Sequence, residues 1–427
     1  MECKPKQPAP LASAAGSKQP RWVDEGVSTS LCWLCIDGDK EEAKKNRCSL
    51  PPSLYGCGVA PFLRFDGPLP NQLYAVGGRS QQQNPLDTVE MFDTWHGHWR
   101  TCPSMVSCRA GCAAATLPDG RLLVVGGYDE RGIVEGLLPT CEVFDPALQK
   151  WRPEKHELAR ARWGHGCATL QGLVYAVGGC SLGRGAPVHE SFMETLRACE
   201  VYDTTSGIWT PCADLNVARA GARVVSLSDR YLAAVGGCED VFGSAVLLPT
   251  VELFDGHTGR WTILDVPLST PRTTAAVAAL DSHQIVIMGG APSLSSTEVY
   301  SVPEEGPEYI RSQQETLSDD RVPPCALEER RPMRKRPSIG DMIEGRMGCQ
   351  AVAMELPAPG KQFPLCSRQC VVVVGGENED SSGQISSVLV YDVEGDSWRS
   401  ESSFPPLPTP RTAMALAVGK GVVSGHA

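Results

Sequence analysis

Six glycine doublets punctuate the chain, at Gly77-Gly78, Gly126-Gly127, Gly178-Gly179, Gly236-Gly237, Gly289-Gly290 and Gly375-Gly376. Each ends a short run of strand-forming residues: LYAVGG, LLVVGG, VYAVGG, LAAVGG, IVIMGG and VVVVGG. A glycine pair extends a strand poorly, because each glycine adds backbone entropy and packs nothing. Six such stops therefore mark one turn made repeatedly. The first glycines are 49, 52, 58, 53 and 86 residues apart. Four of the five spacings sit near one period of about 50 residues, and the fifth is lengthened by an insertion.

The flanking sequence keeps the same register. A variable loop follows each doublet, and then a second strand: TVEMFD, TCEVFD, ACEVYD, TVELFD, STEVYS and SVLVYD. Six residues past its aspartate a tryptophan recurs, at Trp99, Trp151, Trp209, Trp261 and Trp398. An arginine then opens the next strand, at Arg109, Arg162, Arg219, Arg272, Arg346 and Arg411. Small sheets of this kind cannot bury their own faces, so they must stack on neighbours.

This pattern resembles the kelch family over nearly all of residues 30–427. The resemblance implies an all-β propeller of four-stranded blades, ordered a-b-c-d from the axis outward, with the doublet closing strand b. The Tyr or Phe of strand c and the Trp of strand d then fill the space between blades. The sequence suggests seven blades. Six are complete, and the seventh takes strands c and d from the N-terminal side (Ser30–Asp37) and strands a and b from Arg411 onward, where Ser424 replaces the first glycine. Leu54 stands where the first blade's arginine would be. A six-bladed ring is the alternative.

Composition narrows the function. Hydrophobic residues make up 42% and charged residues 21%, enough for a sizeable core. No run approaches the roughly 18 apolar residues of a membrane span. Residues 1–27 read as a solvated tail without a signal-peptide core, which points to the cytoplasm or nucleus. The net charge of −11 argues against a nucleic-acid partner. In a reducing compartment the 18 cysteines are expected to remain thiols. Residues 303–341 form a charged, apolar-poor insertion expected to be disordered. Its Arg334-Lys335-Arg336 cluster makes Ser338 a candidate phosphosite.

The arginine series is the first binding candidate. Equivalent positions in a ring face one end of the channel, and guanidinium suits paired bonds to carboxylates. In kelch adaptors that recognise acidic motifs, arginines at this strand entry are among the ligand contacts. The resemblance thus implies Arg109, Arg162, Arg219, Arg272, Arg346 and Arg411 as partner-binding residues, with Trp163 and His165 beside them. The competing reading is internal: the same side chains pair with carboxylates or cap backbone carbonyls.

Metal and catalytic readings are weaker. Cys32 and Cys35 fall inside one expected strand on opposite faces, and Cys57 matches Cys112, Cys167 and Cys349 as a packing position. The Glu-x-x-x-Asp-x-x-x-His spacing of iron-dependent kelch enzymes does not occur, and no cofactor is expected. The expected role is non-catalytic protein recognition, most of all as a substrate adaptor of a cullin-RING ubiquitin ligase. An actin-associated or signalling scaffold is the alternative, and a metalloenzyme the third reading. No BTB, BACK or F-box module is recognisable, so a ligase would be met by the propeller itself or by a separate subunit.

Overall fold

The computed structural model describes residues 72–419, apart from 83, 95, 184–192, 303–338, 359–366, 379–382 and 401–403. The expected tail, the strand at 30–37, Leu54 to Cys57, the first cysteine pair, Ser338 and the final VVSG stretch lie outside the described residues. Ile339, at the end of the expected insertion, is already buried in the core with Met342.

Six antiparallel sheets form the blades of a propeller. The second has strands Ala113–Thr116, Leu122–Val125, Cys141–Asp145 and Lys150–Pro153, in that order from the axis outward. The third, fourth and sixth repeat this order. The fifth shows three strands among the described residues, Ala276–Ala279, Gln284–Met288 and Thr297–Ser301.

The first blade corrects the expected seventh. Its inner strand is Ala415–Gly419, which pairs with Gln72–Val76 from Val76↔Ala415 to Gln72↔Gly419. The Arg411-led strand therefore completes the first sheet, followed outward by Val89–Asp93 and His98–Cys102. Closure joins three strands from one end of the ring to one from the other. This pairs the edge that an open sheet would expose.

Six hydrophobic clusters fill the six gaps between blades. Tyr74, Val76, Leu122, Phe144 and Trp151 pack between the first and second blades. Leu73, Phe92, Val372, Val390 and Phe404 pack between the sixth and first. Within a blade, the strand c aromatic lies against the strand d tryptophan, with ring centroids 5.0 Å apart for Phe144–Trp151 and 5.1 Å for Phe254–Trp261. Trp151 Nε1 donates to Pro103 O at 2.8 Å and Trp99 Nε1 to Pro405 O at 3.0 Å, pinning the loops that enter the second and first blades.

The doublets do what their spacing implied. Gly126 and Gly127 have φ of 60° and 91°, and a Cβ on Gly126 would lie 2.5 Å from the Arg162 carbonyl of the next blade. Gly127 N–H donates to that carbonyl at 2.8 Å. The same bond recurs around the ring, from Gly78 to Arg109, Gly179 to Arg219, Gly237 to Arg272, Gly290 to Arg346 and Gly376 to Arg411.

A second ring of bonds surrounds the axis. Gly164 N–H donates to Gly111 O, Gly221 to Gly164, Thr274 to Gly221, Gly348 to Thr274, Ala413 to Gly348, and Gly111 back to Ala413, all at 2.8–3.0 Å. All six residues have φ between 50° and 67°. The circle closes after six members, which independently fixes the number of blades.

Candidate functional site

The six arginines of the expected basic crown point into the blades, away from the channel. Arg109, Arg162, Arg219, Arg272, Arg346 and Arg411 are each no more than 2% exposed. Each sends Nη1 to the carbonyl of the first glycine of its own doublet, for example Arg219 to Gly236 at 2.8 Å and Arg411 to Gly77 at 3.0 Å. The same nitrogen reaches the carbonyl of the residue opening strand c, such as Thr250 or Thr88.

Most also pair with a glutamate on strand c. These are Glu142 for Arg109 (3.0 Å), Glu200 for Arg162 (2.6 Å), Glu252 for Arg219 (2.6 Å) and Glu90 for Arg411 (3.0 Å). Arg272 lies 3.8 Å from Glu298, and Arg346 turns to Glu344, because the sixth blade has Leu389 at the strand c position. Glu142 and Glu252 also accept backbone N–H bonds from the loop entering the blade. A buried guanidinium bonded in this way holds a fold together and is closed to a partner, although Nε of Arg219 and of Arg346 is left without an acceptor. The expected crown is an internal brace.

What opens on the axis is a cavity of about 480 Å³. It is walled by the residues just after each arginine and just after five of the six doublets, including Tyr128, Trp163, His165, Arg223, Met347 and Glu377. Trp163 and His165, which the sequence reading set beside Arg162 as partner-binding candidates, line this cavity while the arginine does not. Trp163 meets Tyr128 edge to face at 6.0 Å and Phe242 at 6.4 Å. Phe242 is 49% exposed at the tip of a hairpin formed by Cys238–Glu239 and Val246–Leu247, which also carries exposed Val246. A second hairpin, Cys180–Leu182 with Met193–Thr195, stands beside it, tied by Val241 N–H to Thr195 Oγ1 at 3.2 Å. One rim of the opening is therefore built up, apolar and aromatic.

Two groups deeper in the channel differ in kind. His165 is 3% exposed, and neither of its ring nitrogens has a hydrogen-bond partner. Burial, reinforced by the Arg162 charge, pushes its pKa down to about 3, so the ring is neutral at pH 7. Arg223 is the one charged side chain at its position in the repeat, where the other blades have Ala113, Gly166, Ala276, Gln350 and Ala415. It donates to Ala275 O at 2.9 Å and Cys349 O at 3.0 Å and has no carboxylate partner among the described residues. Sequence reasoning missed Arg223, Tyr128 and Phe242. Aligning the repeats four residues past each arginine would have exposed Arg223 as the odd member of its column.

Other candidates stay apart from the channel. His96 and His98 belong to an outer cluster with Asp93 and Arg100, where His96 Nδ1 lies 2.7 Å from Asp93 Oδ2. Cys112 and Cys349 are buried thiols in the packing between blades, and the described cysteines are free. Among the described residues, no group of three or more His, Cys, Asp or Glu could hold a metal.

Comparison with known proteins agrees with this architecture. Residues 68–290 match a family model described as the KLHDC2/KLHL20/DRC7 Kelch-repeats domain, and residues 365–405 match the Kelch motif. Kelch-like protein 25 of Xenopus tropicalis is 29% identical over 305 residues, covering 70% of this chain and 40% of that protein. Kelch-like protein 23 of Homo sapiens is 23% identical over 333 residues, covering 78% and 48%. Beta-scruin of Limulus polyphemus is 26% identical over 220 residues, covering 50% and 23%. The chain thus spans less than half the length of these relatives. A solved structure titled Structure of YjhT shares the fold with a TM-score of 0.52 at 13% identity, over 78% of this chain and 98% of that one.

Proposed function

The chain belongs to the kelch-repeat family, and on that premise we propose that it is a protein-recognition module whose partner docks on the aromatic rim and enters the axial cavity. The observation that carries this reading is the rim itself. Tyr128, Trp163 and Phe242 stand together at the opening of a concave site, backed by two hairpins that no other blade shows among the described residues. Clustered Trp and Tyr around a desolvated pocket are the usual anchors of an interface. A cavity of this size admits a few side chains of an extended segment.

The finer role we propose is that of a substrate adaptor for a cullin-RING ubiquitin ligase, working in the cytoplasm. The relatives named Kelch-like support it, and the free thiols suit a reducing compartment. The protein acts by binding, and no catalytic step is assigned to it.

The test is affinity purification of the full chain beside a Trp163→Ala/Phe242→Ala double variant. Partners recovered by the wild type and lost from a variant with unchanged melting temperature support the rim as the site, and a cullin among them supports the ligase role. Partners retained equally by both proteins would overturn it, and filament co-sedimentation would redirect it to a scaffold.

A further inference from the structure

Beyond the mouth, the inner strands enclose a second hollow of about 90 Å³. Its walls are the small residues Ala113, Gly166 and Ala415 and, from three different positions, His165, Arg223 and Gln350. These last three also line the larger cavity, so the two spaces share one polar boundary. At roughly 30 Å³ per water molecule, the hollow holds about three waters or one small ion. An extended peptide does not fit there.

The charges around this boundary do not balance. Arg79 and Glu377, also on the larger cavity, pair with each other at 3.6 Å. Arg162 beside His165 is paired with Glu200. Arg223 has two carbonyl partners for its five N–H donors and no anion among the described residues. Removal from bulk water pushes its pKa below the usual arginine value, with only the Cys349 thiol acting in the opposite direction. His165 adds a buried ring with an unused N–H and an unused acceptor. A partly buried cation without a counter-charge and, in His165, a buried donor without an acceptor both invite the same ligand.

We propose that the axial channel binds one small inorganic oxyanion of phosphate size, held by the free N–H groups of Arg223 and by the N–H of His165, with Gln350, whose amide already donates to Met414 O at 3.0 Å, on the lining. The anion supplies the missing charge and occupies a hollow that small residues at Ala113, Gly166 and Ala415 leave open. It sits deeper than the rim, so it belongs to the propeller itself and its binding is read without any partner.

The experiment uses the full chain and inorganic phosphate as the probe, at constant ionic strength with sodium chloride as the balancing salt. The expected result is a saturable rise in melting temperature with phosphate, matched by binding in isothermal titration calorimetry. Arg223→Gln should weaken phosphate at least tenfold. His165→Phe, which keeps the ring, should weaken it several-fold, and Arg79→Gln at the mouth should leave it within twofold. Each variant is first shown by circular dichroism to retain the β-sheet spectrum. If Arg223→Gln fails to fold, Arg223→Lys serves instead, since a point charge without the guanidinium geometry should still weaken phosphate measurably. No saturable effect in the wild type, or an equal effect in the Arg223 and Arg79 variants, would overturn the proposal.

Discussion

Replacing Arg219 by alanine separates the two roles open to the arginine ring. In the folded chain Arg219 bridges Gly236 O at 2.8 Å, Thr250 O at 3.1 Å and Glu252 at 2.6 Å, and both ionic partners are fully buried. A bond to a neutral carbonyl contributes about 1 kcal/mol and a bond to a carboxylate about 1.5–3 kcal/mol. Truncation also leaves Glu252 buried without a cation, which puts the loss at about 3–5 kcal/mol. For a chain of this size that lowers the melting temperature by roughly 3–7 °C. Arg272→Ala is the internal control. Its nearest carboxylate, on Glu298, is 3.8 Å away and partly exposed, so its loss should be visibly smaller. Differential scanning fluorimetry with urea titration measures both. If Arg219→Ala melts like the wild type, or Arg272→Ala is the more damaging, the arginines are not the braces described here.

Further expectations concern the channel and the turns. His165 has its pKa depressed to about 3, so the folded state refuses a proton that the unfolded chain accepts near pH 6.5. Stability from this group is therefore present above pH 6.5 and is lost as pH falls towards the folded value. The loss reaches roughly 2 kcal/mol by pH 5, and His165→Phe should remove that share of the pH dependence in melts at pH 7 and 5. Gly126→Ala places a Cβ 2.5 Å from a backbone oxygen of the next blade and should destabilise by about 3 kcal/mol or more. Gly97→Ala has the same sign of φ but nothing within 4 Å, and should lose only about 1 kcal/mol in the same urea titration.

The repeat, the strands and the inter-blade aromatics were legible because each is a local pattern. The blade count was not. An Arg-led strand at Arg411 looks the same whether it opens a seventh sheet or completes the first, and only the pairing of Val76 with Ala415 decides. The direction of the arginines was hidden for a similar reason, since spacing fixes a position and says nothing of which way a long side chain turns. Their partners were nevertheless in view. TVEMFD, TCEVFD, ACEVYD, TVELFD and STEVYS all carry a glutamate at the third place, and its recurrence signalled an internal pair. SVLVYD lacks it, and there Glu344 from the entering loop takes over.

The clasp at Arg411 also has a consequence for biosynthesis. As the polypeptide leaves the ribosome, the strands at 72–102 emerge first, yet the segment that lies between them and the axis is translated after every other blade. Until then Leu73 and Tyr74 have an unfilled flank that is sticky towards other nascent chains. Premature termination ahead of Arg411 would leave that flank permanently bare, so such a product should be captured by chaperones or degraded instead of accumulating as a slightly shorter protein.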